Sequence, residues 1–102
     1  FSEEIFGPVL GITTFKSPEE AISLANQNKY GLHASVFTSS NKSAHIAARG
    51  IKAGTVSVNC YGEGDATTPF GGYKLSGFGG RDKSLLAHDQ YCELKTIWID
   101  LQ

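Results

Sequence analysis

The sequence predicts an α/β fold, a strand–helix–strand–helix–strand piece of a parallel sheet. Three observations carry that expectation. Apolar, β-branched runs recur at residues 9–15 (VLGITTF), 34–38 (ASVFT) and 54–59 (GTVSVN). A helix start signal follows the first run, and a second cluster of capping residues follows the next. Helical crossovers between strands favour parallel pairing with right-handed connections.

Each element has a local reason. Ser17-Pro18-Glu19-Glu20 is a capping box: Ser17 caps, Pro18 suits the first helical position, and Glu20 reaches back to the cap amide. Ala21, Ile22, Leu24 and Ala25 then make one apolar helix face, and Gly31 supplies a left-handed exit. Ser39, Ser40 and Asn41 offer caps for a second helix through Ala44, Ile46 and Ala48, ending near Gly50. In the third run Val56 and Val58 alternate with Thr55, Ser57 and Asn59. Residues 60–82 read as one long loop, and seven of the chain's 12 glycines (Gly62, Gly64, Gly71, Gly72, Gly77, Gly79, Gly80) fall within it. Such a loop in a small domain is usually functional or disordered. A short helix is expected over 83–88. A last strand is expected over 94–101 (LKTIWIDL), from Leu94 to Leu101, with Ile97, Ile99 and Leu101 alternating against Trp98.

The 102 residues allow one domain, and burial of roughly 65% of the unfolded surface is expected for that size. Hydrophobic residues at 40% and charged residues at 19% are a globular balance. Nine Lys+Arg against ten Asp+Glu give a net charge of -1, which leaves no basic footprint for nucleic acid or an acidic membrane. No apolar run approaches the roughly 20 residues that span a bilayer, and no signal peptide is visible. Cys60 and Cys92 are too few and too far apart for a disulfide framework or a C-x-x-C site, so two reduced, half-buried thiols in a cytoplasmic protein are expected. The chain starts at Phe1 and contains no Met, as a piece of a longer or processed product would.

Common catalytic signatures are absent: no G-x-G-x-x-G, G-x-x-x-x-G-K-[ST], G-x-S-x-G or H-E-x-x-H occurs. His33, His45 and His88 share no helical spacing, so no metal site is expected and each reads as a surface or capping histidine. Cys60, at a strand end, has no neighbouring His or helix start to activate it and reads as structural.

Two segments carry a specific signal: Glu3-Glu4-Ile5-Phe6-Gly7-Pro8, and Pro69-Phe70-Gly71-Gly72-Tyr73-Lys74 with Ser76-Gly77 behind it. With Tyr30-Gly31-Leu32, Ala53-Gly54-Thr55-Val56 and Val58-Asn59, they closely resemble the C-terminal part of the aldehyde dehydrogenase superfamily, in register over essentially the whole chain. The tail from Gly80-Arg81-Asp82 to Thr96-Ile97-Trp98 looks most like enzymes of γ-glutamyl-γ-aminobutyraldehyde and related amino aldehydes.

The resemblance implies roles. Glu4 would bind the nicotinamide ribose of NAD or NADP, its two acceptor oxygens taking both hydroxyls of a vicinal diol. Phe6 would lie against the same ribose. Phe70 would line the aldehyde tunnel, with Tyr61 and the loop of residues 62–65 near its mouth. Lys74 and Arg81 read as loop-fixing or surface groups. Asp82 stands where many members carry Glu, after a Gly79-Gly80 pair one residue longer than the commonest spacing, so no proton-relay role is carried over to it. Residues 1–90 would belong to the catalytic domain, and 91–102 would be an oligomerisation strand joining a homo-oligomer.

The family's nucleophilic cysteine, general base, oxyanion-stabilising asparagine and dinucleotide-binding domain lie upstream in a full-length member. The resemblance therefore implies an NAD(P)-dependent oxidation of an aldehyde by the parent enzyme, through a thiohemiacetal, and an inactive isolated chain with no catalytic residue of its own. A non-catalytic α/β assembly or binding module is the alternative. If the loop rims the aldehyde tunnel, as the resemblance implies, Glu63 and Asp65, with no Lys or Arg between residues 53 and 73, would favour aldehydes that carry an ammonium group. The alternative is two solvated loop acids serving solubility.

Overall fold

The computed structural model describes residues 3–62 and 64–102. Helix α1 spans Pro18–Asn26 and helix α2 spans Asn41–Gly50. Strands are β1 (Tyr30–Gly31), β2 (His33–Val36), β3 (Thr55–Val58) and β4 (Tyr73–Lys74), and a 3₁₀ helix covers Leu85–Tyr91.

The caps form largely as their residue types dictate. Ser17 Oγ accepts from the Glu20 amide at 3.1 Å, and Ser40 Oγ accepts from the Ser43 amide at 3.2 Å. Glu20 reaches one residue further back than expected, taking the Lys16 amide at 2.7 Å instead of the amide of Ser17. Gly31 is not the exit of α1. Gln27 caps that helix in right-handed geometry, and Gly31 sits in β1, where a Cβ would collide with the Lys52 carbonyl and Tyr73.

β2 and β3 pair in parallel, His33 opposite Thr55 through Val36 opposite Val58, with α2 as the crossover packed on both. The pleat sets Ala34, Val36, Val56 and Val58 on one face and His33, Ser35, Thr55 and Ser57 on the other. The ladder ends early on both strands. Asn59 adopts φ 55°, and its side-chain amide takes over as backbone partner, bonding the Thr38 amide at 2.8 Å and the Thr38 carbonyl at 2.9 Å. Asn is the non-glycine residue best suited to that turn.

The sheet is smaller than the sequence predicts. Residues 9–15 join no ladder among the described residues, and neither do residues 94–101. Strand propensity supplies a pleat that can be half-buried but does not itself supply a partner strand. An antiparallel pair forms instead between β1 and β4, Tyr30 opposite Lys74. The second sheet thus arises inside what reads as loop.

Among the described residues no hydrophobic side chain is fully buried. The accessible surface is 8689 Å², against about 5,600 Å² for a compact protein of 10.9 kDa. The radius of gyration, 18.7 Å, likewise exceeds the roughly 13 Å of a compact domain of this length. Burial is therefore near 45% of the extended chain's surface and not the roughly 65% expected. The shortfall lies in the unpaired runs: Leu94 is 102% and Trp98 91% exposed. Cys60 and Cys92 are exposed free thiols, not half-buried ones.

Candidate functional site

Glu4 and Phe6 lie on an irregular exposed segment that turns at Gly7, whose carbonyl accepts from the Val9 amide at 2.8 Å. Phe6 holds φ 52°, a left-handed conformation that costs a bulky L-residue roughly 1–2 kcal/mol. Its ring is 89% exposed. Residues between 3 and 11, Glu4 and Phe6 among them, line an open groove of about 490 Å³. A carboxylate and an aromatic face beside one groove fit the sugar of a nucleotide, the first as a double acceptor and the second as an apolar wall.

Phe70 and Tyr61 sit elsewhere, and neither lines that groove. Phe70 is half-buried in a loop closed by main-chain bonds: the Asp82 amide donates to the Phe70 carbonyl at 2.9 Å, Gly79 to Gly72 at 2.7 Å, and Ser84 to Ala66 at 2.9 Å. Close approach explains the glycines. A Cβ on Gly71 would overlap the backbone of Gly80, and one on Gly54 would overlap the Gly71 carbonyl. The Lys83 ammonium stands 5.3 Å from the centroid of the Phe70 ring, a cation–π distance. Asp82 accepts from Gln90 Nε2 at 3.2 Å. Lys74 fixes the loop to α1 by donating to the carbonyls of Asn26 and Asn28.

Tyr61 opens the segment after β3 and is 86% exposed. Its ring meets the His33 ring edge-on, centroids 5.4 Å apart and planes at 83°. Glu63 lies outside the described residues. Asp65 turns its carboxylate inward on its own loop, accepting from the Thr67 hydroxyl at 2.5 Å and the Thr67 amide at 2.7 Å. Those hydrogen bonds, the hydroxyl's first, hold its carboxyl below the usual aspartate value, and Lys83 adds a favourable charge. Asp65 is thus an ionised turn acceptor with Lys83 nearby.

His33 is the residue that sequence reasoning misplaced. It is half-buried and bonded rather than a surface or capping group. The signal was the alternation His33-Ala34-Ser35-Val36, which sets His33 opposite the apolar face once the strand is started one residue earlier. Among the described residues no group of three or more His, Cys, Asp or Glu side chains is gathered to hold a metal, and no helix is long and apolar enough to cross a membrane.

The Aldehyde dehydrogenase family profile matches residues 1–97. Over 100 residues the chain is 66% identical to the aminoacetaldehyde dehydrogenase of Pseudomonas aeruginosa, a match that takes in 98% of this chain and 20% of that protein. It is 58% identical over the same shares to an NADP/NAD-dependent aldehyde dehydrogenase of Escherichia coli. Among solved structures, the indole-3-acetaldehyde dehydrogenase of P. syringae, a variant in complex with NAD+ and IAA, superposes with a TM-score of 0.87 at 57% identity over 98% of this chain and 20% of that one. The aldehyde dehydrogenase KauB of Pseudomonas aeruginosa gives 0.88 at 55% identity, again over 98% and 20%. The chain spans about one-fifth of the length of these relatives.

Proposed function

This chain belongs to the aldehyde dehydrogenase family, and from that premise we propose that it forms part of an enzyme that oxidises an aldehyde to a carboxylic acid with NAD or NADP. The observation that carries the reading is the match to such enzymes over nearly the whole chain, 66% identity over 98% of it. Glu4 and Phe6 hold the nicotinamide ribose: the carboxylate accepts from both hydroxyls, and the ring limits drift of the sugar. When bound, the cofactor supplies the acceptor for the hydride that leaves the aldehyde carbon. Phe70 lines the substrate tunnel and Tyr61 stands at its mouth, aromatic walls that grip the carbon chain and exclude water.

The substrate class proposed is an amino aldehyde, supported by the aminoacetaldehyde dehydrogenase of Pseudomonas aeruginosa as a relative. Residues 94–101 add a strand to a neighbouring subunit in a homo-oligomer, a role suited to an exposed apolar run without a ladder partner. Two exposed free thiols suit a reducing compartment, and the cytoplasm is the one proposed.

The test is cofactor reduction by the intact enzyme. With NAD or NADP and an amino aldehyde, absorbance of the reduced cofactor should rise as one acid forms per hydride transferred. No reduction with any aldehyde overturns the reading. The 102-residue chain alone should stay inactive, and turnover by it that Cys60→Ser abolishes would show a nucleophile in this segment after all.

A further inference from the structure

We propose that His33 is a positioning residue for the aldehyde: it fixes the Gly62 carbonyl, braces the Tyr61 ring, and so determines how Tyr61 is presented at the tunnel mouth. The inference rests on the reading of Tyr61 as a tunnel residue. It starts from the sheet. The parallel register puts His33 and Ser57 on the polar face of the β2–β3 pair, His33 opposite Thr55 and Ser57 opposite Ser35.

Three polar atoms meet there. His33 Nε2 lies 3.1 Å from Ser57 Oγ and 3.1 Å from the Gly62 carbonyl oxygen, and Ser57 Oγ donates to that same oxygen at 2.7 Å. A carbonyl oxygen only accepts, so Nε2 must carry a proton and donate. The carbonyl then takes two donors, which uses both its lone pairs. Gly62 adopts φ +148°, a region costly for any residue with a Cβ, and the two donors hold it there.

The same imidazole contacts the next side chain. Tyr61 is the residue before Gly62, and its ring meets His33 in the T-shaped arrangement that aromatic pairs prefer. One side chain thus restrains both the backbone after Tyr61 and the ring itself. The ring is otherwise turned to solvent, so its orientation depends on this brace. His33 touches no reacting atom in this arrangement and acts through Tyr61.

The experiment uses the intact enzyme. His33→Ala should raise KM for the aldehyde roughly three- to tenfold, the span of one neutral hydrogen bond. Both kcat and KM for the cofactor should stay within about twofold. Amide exchange, followed by mass spectrometry, should quicken in the peptide that contains residues 59–62. His33→Gln, which puts an amide donor where Nε2 sits, should recover most of the KM. Ser57→Ala, a milder change at the same carbonyl, should shift KM in the same direction. Unchanged aldehyde KM in both His33→Ala and Ser57→Ala overturns the proposal. Tyr61→Ala separates the two ways of failing. If it raises KM while His33→Ala does not, the brace is wrong; if it leaves KM unchanged, the tunnel reading of Tyr61 is wrong and the proposal falls with it.

Discussion

Lys74 Nζ donates to the carbonyl of Asn28 at 2.7 Å, across 46 positions of sequence, and to that of Asn26 at 3.0 Å. Asn26 ends α1, so the ammonium meets the negative end of the helix dipole and two carbonyls that the helix leaves unpaired. Around it the Leu75 amide donates to the Lys29 carbonyl at 3.1 Å, and Ser76 Oγ accepts from the Gly31 amide at 3.1 Å. Asn26 itself bonds the Gly50 carbonyl and the Lys52 amide, both at 2.8 Å, which ties the ends of both helices to one knot.

Lys74 also sits at φ 52°, so two effects separate on substitution. Lys74→Ala loses the bonds and keeps the strain, costing about 1 kcal/mol. Lys74→Gly loses the same bonds and relieves a left-handed penalty of about 1 kcal/mol. Denaturant unfolding of the intact enzyme should place Lys74→Gly above Lys74→Ala. The reverse order would mean that the strain is not borne by Lys74.

Asp65 gives a pH expectation. Its carboxyl is held below 3.8 in the folded chain, first by the Thr67 hydroxyl and then by the Thr67 amide. A carboxyl depressed on folding contributes stability above its unfolded value, and that contribution fades as pH falls through the folded one. The window is therefore below about pH 4. Asp65→Asn should flatten the acid limb of a melting-temperature profile there and leave the neutral region nearly unchanged. An acid limb identical to that of the parent would show that the turn does not depend on the ionised form.

The particular residues explain what was legible. Ser17, Pro18 and Ser40 announce the helices because capping is local chemistry, readable within four residues. The parallel pairing of β2 with β3 follows from α2 between them. Lys74, Ser76 and Gly31 converge from far apart, and no local pattern announces the β1–β4 pair they make. His33 stands at the first position of β2, where composition alone does not separate strand from the preceding loop. Residues 9–15 and 94–101 have strand composition, but pairing is a property of a second strand, which their own residues do not encode. Glu4 and Phe6 stand out by their motif alone; their periodicity and charge are ordinary.

Glu4→Gln in the intact enzyme tests the ribose assignment. Glutamine keeps the shape and one acceptor oxygen, and replaces the other by a donor that faces a hydroxyl unfavourably. A hydrogen bond to a charged group is worth ~1.5–3 kcal/mol, so kcat/KM for the cofactor should fall about ten- to a hundredfold. Loss in kcat should accompany loss in affinity, because a loose ribose misplaces the ring that receives the hydride. Normal turnover with normal cofactor affinity would remove Glu4 from the site.

The last expectation concerns residues 94–101. Ile97, Ile99 and Leu101 alternate along the run and are 70% or more exposed, and Trp98 between them is 91% exposed. Burying one such aliphatic side chain completely is worth roughly 1.5–3 kcal/mol, so leaving three in water is a standing drive toward a partner surface. Strand addition gives that drive a direction, since a strand added to a neighbour's sheet satisfies amides and side chains together. Removing residues 94–102 from the intact enzyme should therefore lower the mass found by light scattering. Ile99→Lys is the finer variant. It keeps the chain length and places a charge at the middle of the apolar stripe, so it should dissociate the assembly at low concentration with the helical circular dichroism unchanged. Retention of the parent's mass by both variants would rule out the tail as the contact between subunits.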